Sequence, residues 1–215
     1  YFPNDKMFGY LMEGEIKAID NVLKNAQRPL TAIIGGSKVS SKLAVLKNLV
    51  GKVDNLIIGG GMGYTFIKAL GGHIGQSLHE DDLMPDALEI LNTAKEKGVN
   101  VSLSVATVCG QSFDNDTPRQ IFDIYNIPDE WEGMDASPAS LENWRKIILA
   151  SKTILWNGPV GVFELPNFAK GTLQIAQDLA DATAQGAYTL VGGGDSVAAV
   201  TQMGYADKVS YVSTG

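Results

Sequence analysis

The amino-acid sequence predicts an α/β fold, in which one doubly wound parallel sheet lies between two layers of helices (three-layer αβα) in a single domain. Short apolar runs typical of buried strands alternate with segments of helical periodicity. Four of these runs end in glycine-containing turns, at Gly35, Gly59, Gly158 and Gly192. Because the carboxyl ends of parallel strands meet at one edge of the sheet, the turns predict a ligand crevice there.

Composition and charge restrict the classes of function. Hydrophobic residues make up 45% of the 215 residues and charged residues 19%, which is ordinary for a globular domain. The formal net charge of −7 argues against general affinity for nucleic acid or an anionic membrane. The longest uncharged run, 98–113, is too short and too polar to span a bilayer.

The cysteine and histidine content narrows the chemistry further. Cys109 is the only cysteine, so no internal disulfide is possible, which is consistent with a reducing cytoplasm. We also expect the chain to be a monomer. With only His73 and His79 beside it, the sequence offers no zinc-ligand set. A histidine-based triad would also need a nucleophile motif, and none is evident.

Hydrophobic periodicity predicts the elements of the first half in order. Residues 1–10 are expected to be a lead-in, and residues 11–25 a helix with an apolar face. The elements that follow are a strand at Leu30–Ile34, a helix from Lys38 to Asn48, a strand at Asn55–Ile58, helices at Tyr64–Leu70 and Pro85–Lys97, and a strand at Val99–Val108.

The second half begins with a polar, proline-containing stretch at 114–140, which we expect to be an excursion over the surface. The predicted elements after it are helices at Leu141–Ala150 and Phe168–Thr183, strands at Thr153–Trp156 and Tyr188–Val191, a helix from Val197, and a strand at Val209–Val212. Neither a repeat nor a linker divides the chain, so one domain over 26–215 is predicted.

The turn at 192–196, Gly-Gly-Gly-Asp-Ser, has the features of a phosphate site. Glycines followed by Asp195 and Ser196 at a helix start present free N–H groups and a partial positive charge, which suit a phosphate. The carboxylate of Asp195 cannot favour a phosphate directly, so it indicates Mg²⁺ held between protein and phosphates. The alternative is an ordinary βα turn with an Asp cap.

Lysines stand at a second glycine turn, Gly-Gly-Ser-Lys-Val-Ser-Ser-Lys at 35–42. Lys38 and Lys42 are four residues apart at a helix start, near the positive end of its dipole, an arrangement that makes sense if an anion binds there. The alternative is a solvated lysine face. The spacing is not that of the common P-loop.

Two further motifs point to a nucleotide. The run 59–63, Gly-Gly-Gly-Met-Gly, fails the dinucleotide fingerprint because Tyr64 stands at its last position, which argues against a Rossmann-type oxidoreductase. A turn lying flat against a purine explains the same glycines. The second motif is Trp-Asn-Gly-Pro-Val-Gly-Val-Phe-Glu at 156–164, in which Asn157 would reach a phosphate and Glu164 would reach a ribose. The alternative is a buried strand containing Trp156, followed by a Pro-Gly turn.

Together these motifs resemble the C-terminal, nucleotide-binding domain of the phosphoglycerate kinase family over essentially all 215 residues. The resemblance also includes Ile-Gly-Gln-Ser-Leu at 74–78 and Lys-Gly-Thr at 170–172. It implies a Rossmann-like domain, with 11–25 as the helix that joins it to a first domain. It also implies phosphoryl transfer between 1,3-bisphosphoglycerate and ADP in glycolysis, with Mg²⁺.

The resemblance assigns roles residue by residue. It implies that Lys38 binds the nucleotide phosphates, that Lys42 neutralises the transferring group, and that Asp195 binds Mg²⁺. Gly193, Gly194, Ser196 and Asn157 would contact phosphates, and Glu164 the ribose. The implied adenine slot comprises Gly36, Ser37, Gly60, Gly61, Leu78, Phe113, Gly133, Met134, Pro159 and Val162.

The sequence also departs from the family. It has Leu-Ser-Val-Ala at 103–106 and Asp-Ala-Ser-Pro at 135–138, where the family usually has Leu-Pro-Val-Asp and Asp-Ile-Gly-Pro. The first domain, which holds 3-phosphoglycerate, and the tail after Ser-Thr-Gly at 213–215 are missing. We therefore expect an excised fragment that binds nucleotide but is inactive alone; a binding-only domain is the alternative.

Overall fold

The computed structural model describes residue 20 and residues 22–213. The predicted lead-in at 1–10 and most of the predicted helix at 11–25 lie outside the described residues. Within that helix, residues 22–24 are helical.

The centre of the fold is a six-stranded parallel sheet, as the sequence predicts. Its strands are β1 (Leu30–Ile34), β2 (Asn55–Ile58), β4 (Asn100–Ser102), β9 (Thr153–Asn157), β10 (Tyr188–Gly192) and β11 (Tyr211–Val212). They stand in the order β11-β10-β9-β1-β2-β4. Counted in chain order from the other edge this is 3-2-1-4-5-6, the order of a doubly wound Rossmann-like sheet. Its topological switch point lies between β1 and β9.

Helices cover both faces of this sheet, which gives the predicted three layers. They are α1 (Val39–Leu49), α2 (Met62–Ala69), α3 (Met84–Lys97), α4 (Pro138–Ala150), α5 (Lys170–Ala184) and α6 (Gly194–Gln202). Alternate residues of β1 serve the two faces: Ala32 packs with the α1–α3 layer, and Ile33 packs with the α4–α6 layer. Within the described part of the chain, no helix combines the length and hydropathy needed to cross a bilayer.

A smaller antiparallel sheet corrects two predictions. The strand predicted at 99–108 is two strands in different sheets, because the chain leaves the parallel sheet after β4 and enters β5 (Ala106–Gly110). The stretch 114–140 contains β6 (Arg119–Asp123), β7 (Asn126–Ile127) and β8 (Glu132–Ala136). Strands β6 and β8 pair with β5, and β7 pairs with β3 (His73–Ile74). The stretch is therefore a folded layer that buries Met134 and Ile127, not only a surface excursion.

Candidate functional site

A cleft of about 410 Å³ opens at the carboxyl edge of the central sheet, where the glycine turns predict it. The predicted site residues that line it are Gly36, Ser37, Lys42, Gly60, Gly61, Leu78, Phe113, Gly133, Met134, Asn157, Pro159, Val162, Glu164, Gly193, Gly194 and Asp195. Lys38 and Ser196 do not line it. We call the part formed by Gly158, Asn157 and 193–195 the glycine end, and the part formed by Leu78, Phe113 and 132–134 the apolar end.

The glycine end is built on the switch point, where the turns after β1 and β9 meet backbone to backbone. The N–H of Gly35 donates to the carbonyl of Asn157 at 2.9 Å, and the N–H of Gly36 donates to that of Pro159 at 2.9 Å. Gly158 has a φ of +100°, and a Cβ there would collide with the backbone of Gly35. Only glycine allows so close an approach.

We call the backbone contact between the β1 and β9 turns the seam. The turn after β2 packs against this seam and forms the floor of the cleft between its two ends. Gly60 has a φ of +73°, and its neighbour Gly61 is the N-cap residue of α2. A Cβ on Gly60 would meet the backbones of Gly36 and Pro159. The floor is therefore bare backbone, with no side chain between it and a flat ligand.

The start of α6 faces the glycine end. Gly193 is the N-cap residue with a φ of +87°, and the N–H of Val197 makes the first helical bond to its carbonyl at 3.0 Å. The N–H groups of the first turn have no partner within a helix, so they and the dipole favour an anion. Gly194 and Asp195 are exposed here.

The two predicted lysines have different positions. Lys42 is half-buried on α1, and its Nζ contacts Oδ1 of Asn157 across the switch point. Lys38 is the exposed N-cap residue of α1 and lies outside the cleft lining. The start of α1 also has a carboxylate of the chain itself, because Glu80 Oε1 accepts from the Ser40 N–H at 3.1 Å. A phosphate contact for Lys38 stays a prediction.

Ser196 supports the cleft from behind. Its side chain is fully buried, and Oγ accepts a hydrogen bond from the N–H of Gly158 at 2.8 Å. This bond fixes Gly158, the positive-φ glycine of the β9 turn, to the first turn of α6. A phosphate contact for Ser196 stays a prediction.

The apolar end exposes hydrophobic surface. Leu78 is 47% exposed and Phe113 is 65% exposed, although both are large apolar side chains that line the cleft. Buried Met134 and the backbone of Gly133 continue the wall. A flat apolar ligand between these side chains and the glycine floor would remove them from water.

A chain of hydrogen bonds fixes the back of the apolar end. The Thr107 hydroxyl donates to the carbonyl of Asp135 at 2.9 Å, so the Tyr64 hydroxyl, 2.7 Å from Thr107 Oγ1, must be the donor in that pair. Burial raises the pKa of Tyr64 well above its usual value. The ring of Tyr64 fills the space where a side chain on Gly133 would lie, so position 133 requires glycine.

The wall at 159–164 joins the two ends. The N–H of Val162 donates to the carbonyl of Met134 at 2.8 Å. Under this wall, the buried carboxylate of Asp135 accepts from the N–H of Gly171 at 3.0 Å, at the start of α5. Burial raises the pKa of Asp135 to about 7, although the backbone bonds oppose the rise. Glu164 is exposed at the rim.

The residues present fit Mg²⁺ only together with a ligand. Among the described residues, no group of three or more His, Cys, Asp or Glu side chains could hold a metal ion. Mg²⁺ is commonly bound by one or two carboxylates plus substrate phosphates and water. Asp195 is an exposed carboxylate beside the anion-favouring start of α6, so it suits a metal that arrives with a phosphate.

Six residues that line the cleft were not among the predicted site residues, although the turn at Gly158 was expected to border the crevice: Ser41, Tyr64, Glu132, Gly158, Val160 and Gly161. Gly158 and Gly161 belong to the 156–164 motif, so their position in the turn was a usable signal. Tyr64 entered only as a mismatch to the dinucleotide pattern. Glu132 had no sequence signal, because it lies in the polar stretch read as an excursion.

The strand order and the crevice at its switch point define a class, the Rossmann-like α/β domains that bind ligands beyond their strand ends. Comparison with known proteins then gives the family. The model of the family described as "PGK: Phosphoglycerate kinase" matches residues 1–215, so the chain belongs to the phosphoglycerate kinase family.

Individual relatives agree with this assignment. The chain is 58% identical over 216 residues to the phosphoglycerate kinase of Porphyromonas gingivalis, covering 100% of this chain and 52% of that protein. It is 50% identical to that of Chloroflexus aurantiacus, covering 96% of this chain and 52% of the other. The chain therefore spans about half the length of these curated relatives.

A solved structure confirms the fold class. The phosphoglycerate kinase of Coxiella burnetii superposes with a TM-score of 0.87 at 40% identity, over 95% of this chain and 52% of the other. The enzyme from Pyrococcus horikoshii superposes with a TM-score of 0.76 at 26% identity, over 96% of this chain and 51% of the other. The α/β three-layer prediction is confirmed.

Proposed function

We propose that this chain is the C-terminal, nucleotide-binding half of a phosphoglycerate kinase and that it binds ADP and ATP with Mg²⁺ in the cleft. One observation carries the proposal: a single cleft has an anion-favouring helix start with Lys42 and Asp195 at one end, and exposed Leu78 and Phe113 at the other. A nucleotide has the same polarity, with phosphates at one end and a flat base at the other.

At the glycine end the phosphates are held by backbone and charge. The N–H groups of the α6 start and the cation of Lys42 stabilise the anionic oxygens, and Asn157 donates through its amide. Asp195 is the carboxylate that would hold Mg²⁺, which would supply further charge neutralisation there. At the apolar end the base lies on the glycine floor beside Leu78 and Phe113, and Glu164 at the rim accepts from the ribose.

The reaction is phosphoryl transfer between 1,3-bisphosphoglycerate and ADP, the glycolytic step of this family. Such a transfer asks for little covalent chemistry from the protein, so positioning and charge neutralisation provide most of the catalysis. Lys42 and the Gly193–Gly194 turn face the transferring group. A cytosolic location and a monomeric state belong to the same proposal.

The second substrate is held by the remainder of the enzyme. A bisphosphoglycerate needs a cluster of cations, and the arginines described here are dispersed. Arg28 pairs with Asp54, Arg145 pairs with Asp178 and Asp181, and Arg119 lies on β6. The chain spans about half of its relatives, which supports a separate 3-phosphoglycerate-binding domain. Alone, the chain binds nucleotide without turnover.

Titration calorimetry with Mg·ADP, Mg·ATP and NAD tests the proposal. Both adenine nucleotides should bind. Lys42→Ala should lower their affinity by about ten- to 150-fold, because it removes a charge-assisted contact worth ~1.5–3 kcal/mol. Lys146→Ala, a matched change on the exposed face of α4, should bind as the wild type does.

Several results would contradict the proposal. Folded protein that gives no heat with either nucleotide excludes nucleotide binding. Binding of NAD alone favours the oxidoreductase alternative. Turnover by the purified chain, abolished by Lys42→Ala, disproves its inactivity. If nucleotide binds but no activity appears after the full-length enzyme is assembled, a binding-only domain is the better description.

A further inference from the structure

One side chain of the apolar end has a hydrogen-bonding atom without a partner. Among the described residues, three buried side-chain atoms lack one: Glu132 Oε1, Trp144 Nε1 and Asp178 Oδ2. Of these three residues, Glu132 alone lines the cleft. Buried polar atoms are nearly always bonded, so an unbonded one on a residue that lines a ligand cleft calls for an explanation.

The neighbouring donors are already committed. The Tyr64 hydroxyl donates its hydrogen bond to Thr107 Oγ1, so it cannot also donate one to Glu132. The N–H of Gly133 donates to Ser77 Oγ at 2.8 Å. None of the ion pairs among the described residues involves Glu132, so its carboxylate has no cation partner there.

The surroundings of Glu132 are apolar. It lies on β8, paired with Gly110, and shares the cleft wall with Leu78, Phe113 and Met134. Glu132 is half-buried, and the burial of its carboxyl raises its pKa. A carboxylate offers only acceptor oxygens when ionised, so the missing partner must be a donor.

We propose that Glu132 determines base preference by accepting a hydrogen bond from an N–H group on the edge of the bound purine. The inference rests on the proposed function, since it needs the base at the apolar end. Adenine offers its 6-amino group, guanine offers N1–H and its 2-amino group, and unsubstituted purine has no such donor on that edge. A site with a buried polar group discriminates strongly against a ligand that leaves it unpaired.

The test compares three Mg²⁺ complexes by calorimetry: ADP, GDP and purine riboside 5′-diphosphate. Wild-type protein should bind ADP or GDP at least about tenfold more tightly than the purine analogue, as expected for a hydrogen bond to a charged group. Preference for ADP assigns the donor to the 6-amino group, and preference for GDP assigns it to N1–H and the 2-amino group. Either result supports the role of Glu132.

Two variants isolate the carboxylate. Glu132→Met keeps the side-chain length but removes the acceptor, so the ratio of affinities should fall to about one, with the purine analogue bound no more weakly than before. Glu132→Gln keeps one acceptor oxygen and should retain part of the preference. Glu130→Met, on an exposed neighbour outside the cleft, should behave as the wild type does.

The outcomes separate this inference from the proposed function. If wild-type protein binds none of the three nucleotides, both the nucleotide site and the role of Glu132 are wrong. If it binds them and Glu132→Met keeps the wild-type ratio, only the role of Glu132 is wrong. An equal loss for all three nucleotides in Glu132→Met indicates a structural role and also overturns the inference.

Discussion

The two ends of the cleft are built by different parts of the fold. The glycine end consists of backbone that leaves the central sheet at β1, β9 and β10, held by bonds such as Gly36 N–H to the Pro159 carbonyl at 2.9 Å. The apolar end consists of side chains, several of them on or beside the antiparallel sheet that the chain adds between β4 and α4. The shape of the glycine end therefore follows from the strand order, whereas the shape of the apolar end depends on which side chains occupy it.

The largest expected effect concerns Asp135, which ties the antiparallel sheet to α5 beneath the cleft wall. Its pKa is raised to about 7 in the folded protein from an ordinary value of 3.8. Between pH 4 and 7 the unfolded chain therefore releases this proton while the folded chain keeps it, and stability falls as pH rises. The loss from this group reaches about 4 kcal/mol at most, at ~1.4 kcal/mol per pKa unit.

Urea denaturation of the wild type and of Asp135→Asn across that pH range measures this effect. The variant has no carboxyl to titrate there, so its stability should show a smaller fall. Parallel pH profiles for the two proteins would mean that Asp135 ionises normally. Because only slopes are compared, any constant loss from replacing an acceptor does not matter.

The next effect is a difference in stability between alanine substitutions at two glycines of the glycine end. Gly158→Ala should lower the free energy of unfolding by about 3 kcal/mol or more, since φ is +100° and the Cβ strikes the Gly35 backbone. Gly194→Ala should stay within about 1 kcal/mol of the wild type, because its Cβ meets no atom within 4 Å. Denaturation midpoints for both variants decide this, and similar losses would show that the seam is looser than described.

A third effect separates the contribution of bound Mg²⁺ from that of a lysine side chain at the glycine end. Asp195→Ala should abolish most of the Mg²⁺ dependence of ADP binding and leave metal-free binding nearly intact. Lys42→Ala should keep the dependence and lose ~1.5–3 kcal/mol of binding free energy. Titrations with and without Mg²⁺ measure both, and wild-type magnesium dependence in Asp195→Ala would show that another residue holds the metal.

The smallest effect belongs to the apolar end. Phe113→Ala should weaken ADP binding by at least ~0.5–1.5 kcal/mol, the part of an aromatic contact that adds to its buried area. Stability should change little, because the ring is 65% exposed. Ile121→Ala serves as the control, since that side chain is 51% exposed on β6 outside the cleft. Equal affinities for the two variants would place the base elsewhere.

The same difference between the ends explains what the sequence could predict. The strands Leu30–Ile34 and Asn55–Ile58 were predicted with the bounds found, because short buried strands in a parallel sheet are continuous apolar runs between turn residues. Glycines after β1, β9 and β10 located the glycine end, since parallel topology alone brings strand ends together. The family motifs then supplied 16 of the 22 lining residues.

The predictions were wrong where strands pair in antiparallel fashion with partners that are distant in the sequence. Residues 99–108 read as one strand because periodicity does not reveal a change of sheet at 103–105. Strand β6 is mostly exposed and polar, so it resembled a loop, although it pairs with β5 along its whole length. Glu132 could not be assigned to the cleft, because its direction depends on the register of β8 against β5.

The position of the switch point also has a consequence for the order of folding. Strand β1 lies between β2, which follows it closely, and β9, which begins roughly 120 residues later, a separation typical of slow, non-local pairing. At a synthesis rate of ~5–20 residues per second, several seconds pass between the emergence of the two strands from the ribosome. During that interval one edge of β1 lacks its native neighbour and is open to mispairing. The seam that makes the crevice is thus among the last parts of the central sheet to close.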